Sequence, residues 1–205
     1  MKKIKEYKRP ILFGLSMLIF ITLMILLLTN NITGFDNFIY NIVIKLKCKP
    51  ITMLFKGITF LCSTEFIIIA LLLIMIFAKK KKHKIFIPLN TGICCLINQV
   101  LKQIFRRPRP TGINIITETG FSFPSGHSMV SLSFYGLLAY IIYNKKDMKK
   151  STKIIYISLL TLLIILIGVS RIYLGVHFAS DVIAGFALSL AYLLVYTKYF
   201  KEKIL

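Results

Sequence analysis

The chain has 205 residues, 57% of them hydrophobic, and a mean hydropathy of +0.77, a composition that excludes an ordinary soluble globular domain of this length. Its formal net charge of +20 would suit a nucleic-acid binder, but the lysines fall in short clusters between apolar runs, where they flank membrane spans and form no basic face. The cysteines, Cys48, Cys62, Cys94 and Cys95, lack CxxC spacing and lie mostly in or beside apolar runs, so they read as packing residues and not as a zinc site or disulfide framework.

A helix needs roughly 20 apolar residues to cross the hydrocarbon core of a bilayer. The first run of that kind, 11–28, follows the basic "MKKIKEYKR". It is longer than the apolar stretch of a secretory signal and no small-residue cleavage site follows, so it predicts an uncleaved span. After it, Phe35, Phe38, Ile39, Ile42 and Leu46 recur at helical spacing, which fits a segment lying flat at the outer interface or, as the alternative, an ordinary ordered loop. The second and third spans are predicted at 58–78 and 85–105, separated by "KKKKHK". A fourth is predicted at 125–143, followed by "NKKDMKKSTK", then a fifth at 154–174 and a sixth at 178–196, followed by "KYFKEK". The reading is an all-α integral membrane protein of six transmembrane helices, one domain over residues 1–205. Lys2, Lys3, Lys5, Lys8 and Arg9 join the three later lysine clusters on one side, which predicts cytoplasmic termini.

The opposite side gathers the residues that carry chemistry. Ionisable groups at membrane depth cost roughly 2.5–3.5 kcal/mol each and are rare there unless they serve a purpose. In "KQIFRRPRP", Lys102 ends the third span, and Pro108 and Pro110 stop the helix from continuing through Arg109. A turn there returns Arg109 toward Lys102, pairing a point cation with a planar fork, both suited to phosphate. Arg106 and Arg107 in the same loop break the charge rule for the outer side. In "PSGH", Ser125 is a predicted N-cap, so Ser125, Gly126 and His127 open a helix whose free N–H groups and dipole favour an anion. In "SRIYLGVHFASD", Arg171 closes the fifth span, and His177 and Asp181 stand four apart, which on a helix places them on one face. A carboxylate that accepts the proton of one ring nitrogen leaves the other free to attack, while the remaining outward histidine, His127, can protonate a leaving oxygen. His83 lies in a lysine run and reads as solvated.

Lys102 with six residues before Arg109-Pro110, then "PSGH", then Ser170-Arg171 with five residues before His177 and three more before Asp181 together resemble the three-part signature of the type 2 phosphatidic acid phosphatase (PAP2) superfamily. The resemblance implies a PAP2-type helical core and a bacterial membrane lipid phosphatase acting on phosphatidylglycerophosphate or undecaprenyl diphosphate. It implies His177 as nucleophile, Asp181 as its orienting partner and His127 as acid. Lys102, Arg109, Ser125, Gly126 and Arg171 would hold the phosphoryl oxygens, with no metal or other cofactor. The implied partners are the bilayer and a lipid phosphate.

Three other classes fit less of the pattern. A serine hydrolase would need Ser125 activated by His127, but side chains two apart on a helix do not face each other. A metal site built from His127, His177 and Asp181 is opposed by three cations aimed at the same point. The alternative of a non-enzymatic anion carrier or channel explains the arginines but not the His177–Asp181 pair.

Overall fold

The computed structural model describes residues 2–205, with side chains from Tyr7 onward; the side chains of Lys2, Lys3 and Lys5 in the first basic cluster lie outside the described residues. Every regular element among them is helical: α1 (Lys2–Leu28), α2 (Thr33–Val43), α3 (Lys49–Phe60), α4 (Thr64–Phe77), α5 (Lys81–Phe105), α6 (Gly126–Asn144), α7 (Lys150–Tyr173), α8 (Ala179–Tyr199) and α9 (Lys201–Ile204). A single 3-10 turn, Ile44–Leu46, follows α2. Helix α6 packs against α5, α7 and α8, while α1 lies along α8, α3 along α7 and α4 along α5.

Among the described residues four helices, α1, α5, α7 and α8, are long and apolar enough to cross a membrane, and a fifth crossing is counted if α3 and α4, bent by 44° at their junction, form one broken span. The predicted second span, 58–78, is therefore corrected. Helix α3 starts at Lys49 with Pro50 in its first turn, where a missing N–H and a fixed φ suit a helix start. The chain then turns at 61–63, and Ser63 caps the new helix by accepting the Phe66 N–H at 3.2 Å. The predicted fourth span appears as α6, 19 residues long, but it falls short of the same test for a reason visible in its packing. Its serines Ser128, Ser131 and Ser133 are fully buried and hydrogen-bonded to neighbouring groups, so its surroundings are other helices and its composition need not match lipid.

The predicted interfacial segment is helical. Phe35, Phe38, Ile42 and Leu46 are exposed, whereas Ile39 turns inward to pack on Ile172, Ala179 and Val182. The lysine clusters share one end of the bundle. Arg9 donates to the Leu194 carbonyl at 2.9 Å, the His83 Nε2 meets the Ile204 carbonyl at 3.1 Å, and the loop between α6 and α7 carries the remaining cluster. Helix α2, the α3–α4 junction, the loop 106–125 and the turn 174–178 converge at the other end, where the site lies. At that turn Gly175 has φ +70, and a Cβ there would stand 2.5 Å from the Ile113 carbonyl oxygen. Only glycine allows loop and turn to meet in this way, joined by the Ile115 N–H to the Leu174 carbonyl at 2.8 Å.

Candidate active site

Helix α5 ends because Arg106 takes a left-handed conformation, φ 46, and returns its N–H to the Lys102 carbonyl at 3.0 Å, one of the ordinary ways of closing a last turn. The chain then doubles back: the Ser122 N–H reaches the Arg107 carbonyl at 2.8 Å and the Ser122 hydroxyl donates to the Pro108 carbonyl at 2.9 Å. This brings Lys102 and Arg109 together on adjacent carbonyls. Lys102 Nζ donates to the Phe121 carbonyl; Arg109 donates to those of Thr119, at 3.0 Å, and Gly120, at 3.1 Å.

Ser125 caps α6, its hydroxyl accepting from the Ser128 N–H at 3.4 Å, and its own N–H donates to the Asp181 carbonyl at 3.0 Å. Ser125 is fully buried, whereas Gly126 and His127 line open cavities. The His127 ring makes no hydrogen bond to a described residue, so both of its nitrogens are uncommitted. Arg171 is 1% exposed; it donates to Thr59 Oγ1 at 2.7 Å and to Glu118, and its buried Nε has no partner among the described residues.

His177 and Asp181 meet, but not as two positions on one helical face. Helix α8 begins only at Ala179, so His177 precedes it and Asp181 is its third residue. The carboxylate folds back over the helix start, where Oδ2 accepts the Phe178 N–H at 2.9 Å and faces His177 Nδ1 at 3.3 Å. Capping chemistry, not helical periodicity, makes the pair. Arg109 Nη1 donates to His177 Nε2 at 3.1 Å, so Nε2 is the bare nitrogen and Nδ1 carries the proton toward Asp181. Burial pushes the His177 imidazole down to about 4 despite the opposing pull of Asp181, and it is neutral at physiological pH.

Three charged residues at the site had no role assigned from the sequence. Arg107, read there as part of a loop cluster, is buried beneath Phe178, with its guanidinium carbon 4.0 Å from the ring centre. It bridges two buried carboxylates, Asp181 Oδ1 at 2.6 Å and Asp36 Oδ2 at 2.7 Å. Asp36, on the otherwise amphipathic α2, also accepts from the Ser180 N–H at 2.8 Å and the Ser180 hydroxyl at 2.9 Å. A single acid in an apolar helix turn was the available signal. Glu118 pairs with Arg171 and stands 3.9 Å from Arg109; its carboxylate lies between two of the cations expected to hold phosphate.

Lys102, Arg109, Glu118, His127 and His177 all open onto one cavity of about 620 Å³, whose wall continues between α4 and α5 past Ile67, Ile68, Leu71 and Pro88. A second cavity of about 400 Å³, bordered by Lys56, Thr59, Glu65 and Arg171, reaches His127 from another side.

The PAP2 superfamily model matches residues 84–205. The chain is 34% identical over 191 residues to phosphatidylglycerophosphatase B of Bacillus subtilis, covering 91% of this chain and 93% of that protein. It superposes with a TM-score of 0.81 and 28% identity on the crystal structure of a transmembrane PAP2-type phosphatidylglycerolphosphate phosphatase from Bacillus subtilis, covering 96% and 97% of the two chains. Its fold also matches that of LpxE from Aquifex aeolicus, with a TM-score of 0.61, 24% identity and 78% and 93% coverage.

Proposed function

The chain belongs to the PAP2 superfamily and is a phosphoric ester hydrolase homologous to phosphatidylglycerophosphatase B, and we propose that it removes the terminal phosphate of phosphatidylglycerophosphate or undecaprenyl diphosphate through a phosphohistidine at His177. The observation that carries this reading is the shared cavity: Lys102, Arg109 and both histidines open onto a space that runs on between two membrane helices along apolar side chains, and Arg171 borders the second cavity, which also reaches His127. A phosphate held at Lys102 and Arg109 has room beside it for a lipid chain, and the described residues form no lobe outside the helical bundle that would enclose a water-soluble substrate.

In the first step the incoming phosphate draws Arg109 off His177 Nε2, and the freed lone pair attacks phosphorus, forming a P–N bond as the ester or anhydride P–O bond breaks, while His127 gives its proton to the departing oxygen. Asp181 keeps the ring oriented and stabilises the charge that the imidazole acquires. Lys102, Arg109, Arg171, the Ser125 hydroxyl and the Gly126 N–H bind the phosphoryl oxygens. The unpartnered Nε of Arg171 supplies a donor for one of them, and Glu118 gives way to the incoming anion. Water then attacks the phosphohistidine with His127 as base, forming a P–O bond, breaking P–N and releasing inorganic phosphate. Helix α6, shielded by its neighbours, makes the sixth crossing, the whole chain acts as one domain, and the site faces outward with the termini in the cytoplasm.

Phosphate release by purified, detergent-solubilised protein in EDTA, measured on phosphatidylglycerophosphate, phosphatidate and undecaprenyl diphosphate, tests the proposal. Release from at least one of the first and third, absent in His177→Ala, is the expected result. Full release by His177→Ala would overturn it.

A further inference from the structure

Arg107 carries a forked guanidinium, and a fork of this kind ordinarily takes both oxygens of one carboxylate. Here it is split. One arm, Nη1, meets Asp181 Oδ1 at 2.6 Å and Ser180 Oγ at 2.8 Å; the other, Nη2, is held by Asp36 Oδ2 at 2.7 Å. The second oxygen of Asp181 is thereby left for the Phe178 N–H at 2.9 Å and His177 Nδ1 at 3.3 Å. Asp36 is itself fixed from α8 by the Ser180 N–H at 2.8 Å and the Ser180 hydroxyl at 2.9 Å. Asp36 and Asp181 are both about 2% exposed or less and Arg107 is 9% exposed, so water screens none of these pairs effectively.

We infer that Asp36, from the interfacial helix α2, is a positioning residue for the reaction: by retaining one arm of Arg107 it keeps Asp181 Oδ2 free to hold the Nδ1–H of His177. The inference rests on the reading of His177 as nucleophile and adds α2 to the working parts of the site. Without the Asp36 charge, the freed arm of Arg107 turns onto Asp181 Oδ2, the Nδ1–H of His177 loses its acceptor, and the imidazole loses its fixed tautomer.

The test compares Asp36→Asn in two backgrounds, wild type and Arg107→Lys, because an ammonium keeps the buried cation but cannot fork onto both oxygens of Asp181. In the wild-type background Asp36→Asn is expected to lower kcat by about 10–100-fold, by analogy with the partners that orient metal-bound histidines, with little change in KM. The ring ¹⁵N spectrum of His177, assigned by comparison with His177→Ala, is expected to change from the Nδ1–H tautomer to a mixture. In the Arg107→Lys background the same substitution is expected to cost no more than about threefold, a departure from additivity that marks coupled residues. Equal losses in both backgrounds, or an unchanged His177 spectrum in Asp36→Asn, would overturn the inference. Should Asp36→Asn not fold, Arg107→Lys alone decides: the Nδ1–H tautomer retained supports the inference, and its loss refutes it. Failure of the phosphohistidine reading shows separately, as undiminished turnover by His177→Ala.

Discussion

His177 and His127 carry the same imidazole in unlike surroundings, and their roles are separable by substrate. His177 has a carboxylate on Nδ1 and a cation on Nε2; the His127 ring is bound to no described residue. Proton donation is worth about 10²–10⁴-fold only where the leaving group needs it. His127→Ala is therefore expected to lose orders of magnitude on a lipid monoester and much less on an activated aryl phosphate, as read from the ratio of mutant to wild-type kcat/KM for the two substrates. Equal losses would remove His127 from the role of acid. A second expectation concerns charge. With its imidazole depressed to about 4 by burial, His177 is neutral above that pH and gains a proton only as the pH falls toward it, so the nucleophilic form persists throughout pH 5–8. The His177 ring ¹⁵N titration in micelles should have its midpoint well below the usual 6.5, and a midpoint near 6.5 would contradict the buried environment. The motif residues were legible because they are polar groups in apolar sequence at fixed spacing. Asp36 and Glu118 were not, since their importance comes from partners 71 and 53 residues away that only the fold brings close.

Among the elements, periodicity identified the long apolar helices well and misplaced those whose ends are set by local chemistry. The break after α3 is fixed by a serine cap and by the Tyr135 hydroxyl donating to the Leu61 carbonyl at 2.5 Å; hydropathy alone runs straight through it. Likewise, the His177–Asp181 contact follows from the start of α8. Helices α6 and α8 cross closely beside the site. A Cβ at Gly185 would lie 2.9 Å from the Ser125 carbonyl oxygen and 3.0 Å from Ser128 Cβ, so a side chain must push apart the helix starts that bear His127 and Asp181. Displacing reacting groups by about 1 Å can cost roughly 10²-fold. Gly185→Ala should therefore lower kcat by about one to two orders of magnitude while the purified protein stays folded in detergent by circular dichroism; wild-type kcat would mean that this crossing does not set the site.

At the scale of the whole molecule, the basic clusters lie at one end of the bundle and the site at the other, and the lysine pattern predicts that the site end faces outward. The native cysteines offer a reading of it: Cys48 is exposed at the site end, Cys95 is half-buried on the wall of the site cavity, and Cys62 and Cys94 are buried. A membrane-impermeant maleimide added to intact cells should label Cys48 and, in a Cys48→Ser, Cys95→Ser background, spare a cysteine placed at Lys146 in the opposite loop. The reverse pattern would put the site in the cytoplasm. The central claim is the covalent step, and rapid quenching with a ³²P-labelled lipid substrate tests it most directly. The expected result is acid-labile, base-stable phosphate mapped by peptide sequencing to His177, formed and lost at rates that support turnover and absent from His177→Ala. Label on another residue, or full turnover with no phosphoenzyme on that time scale, would contradict the account.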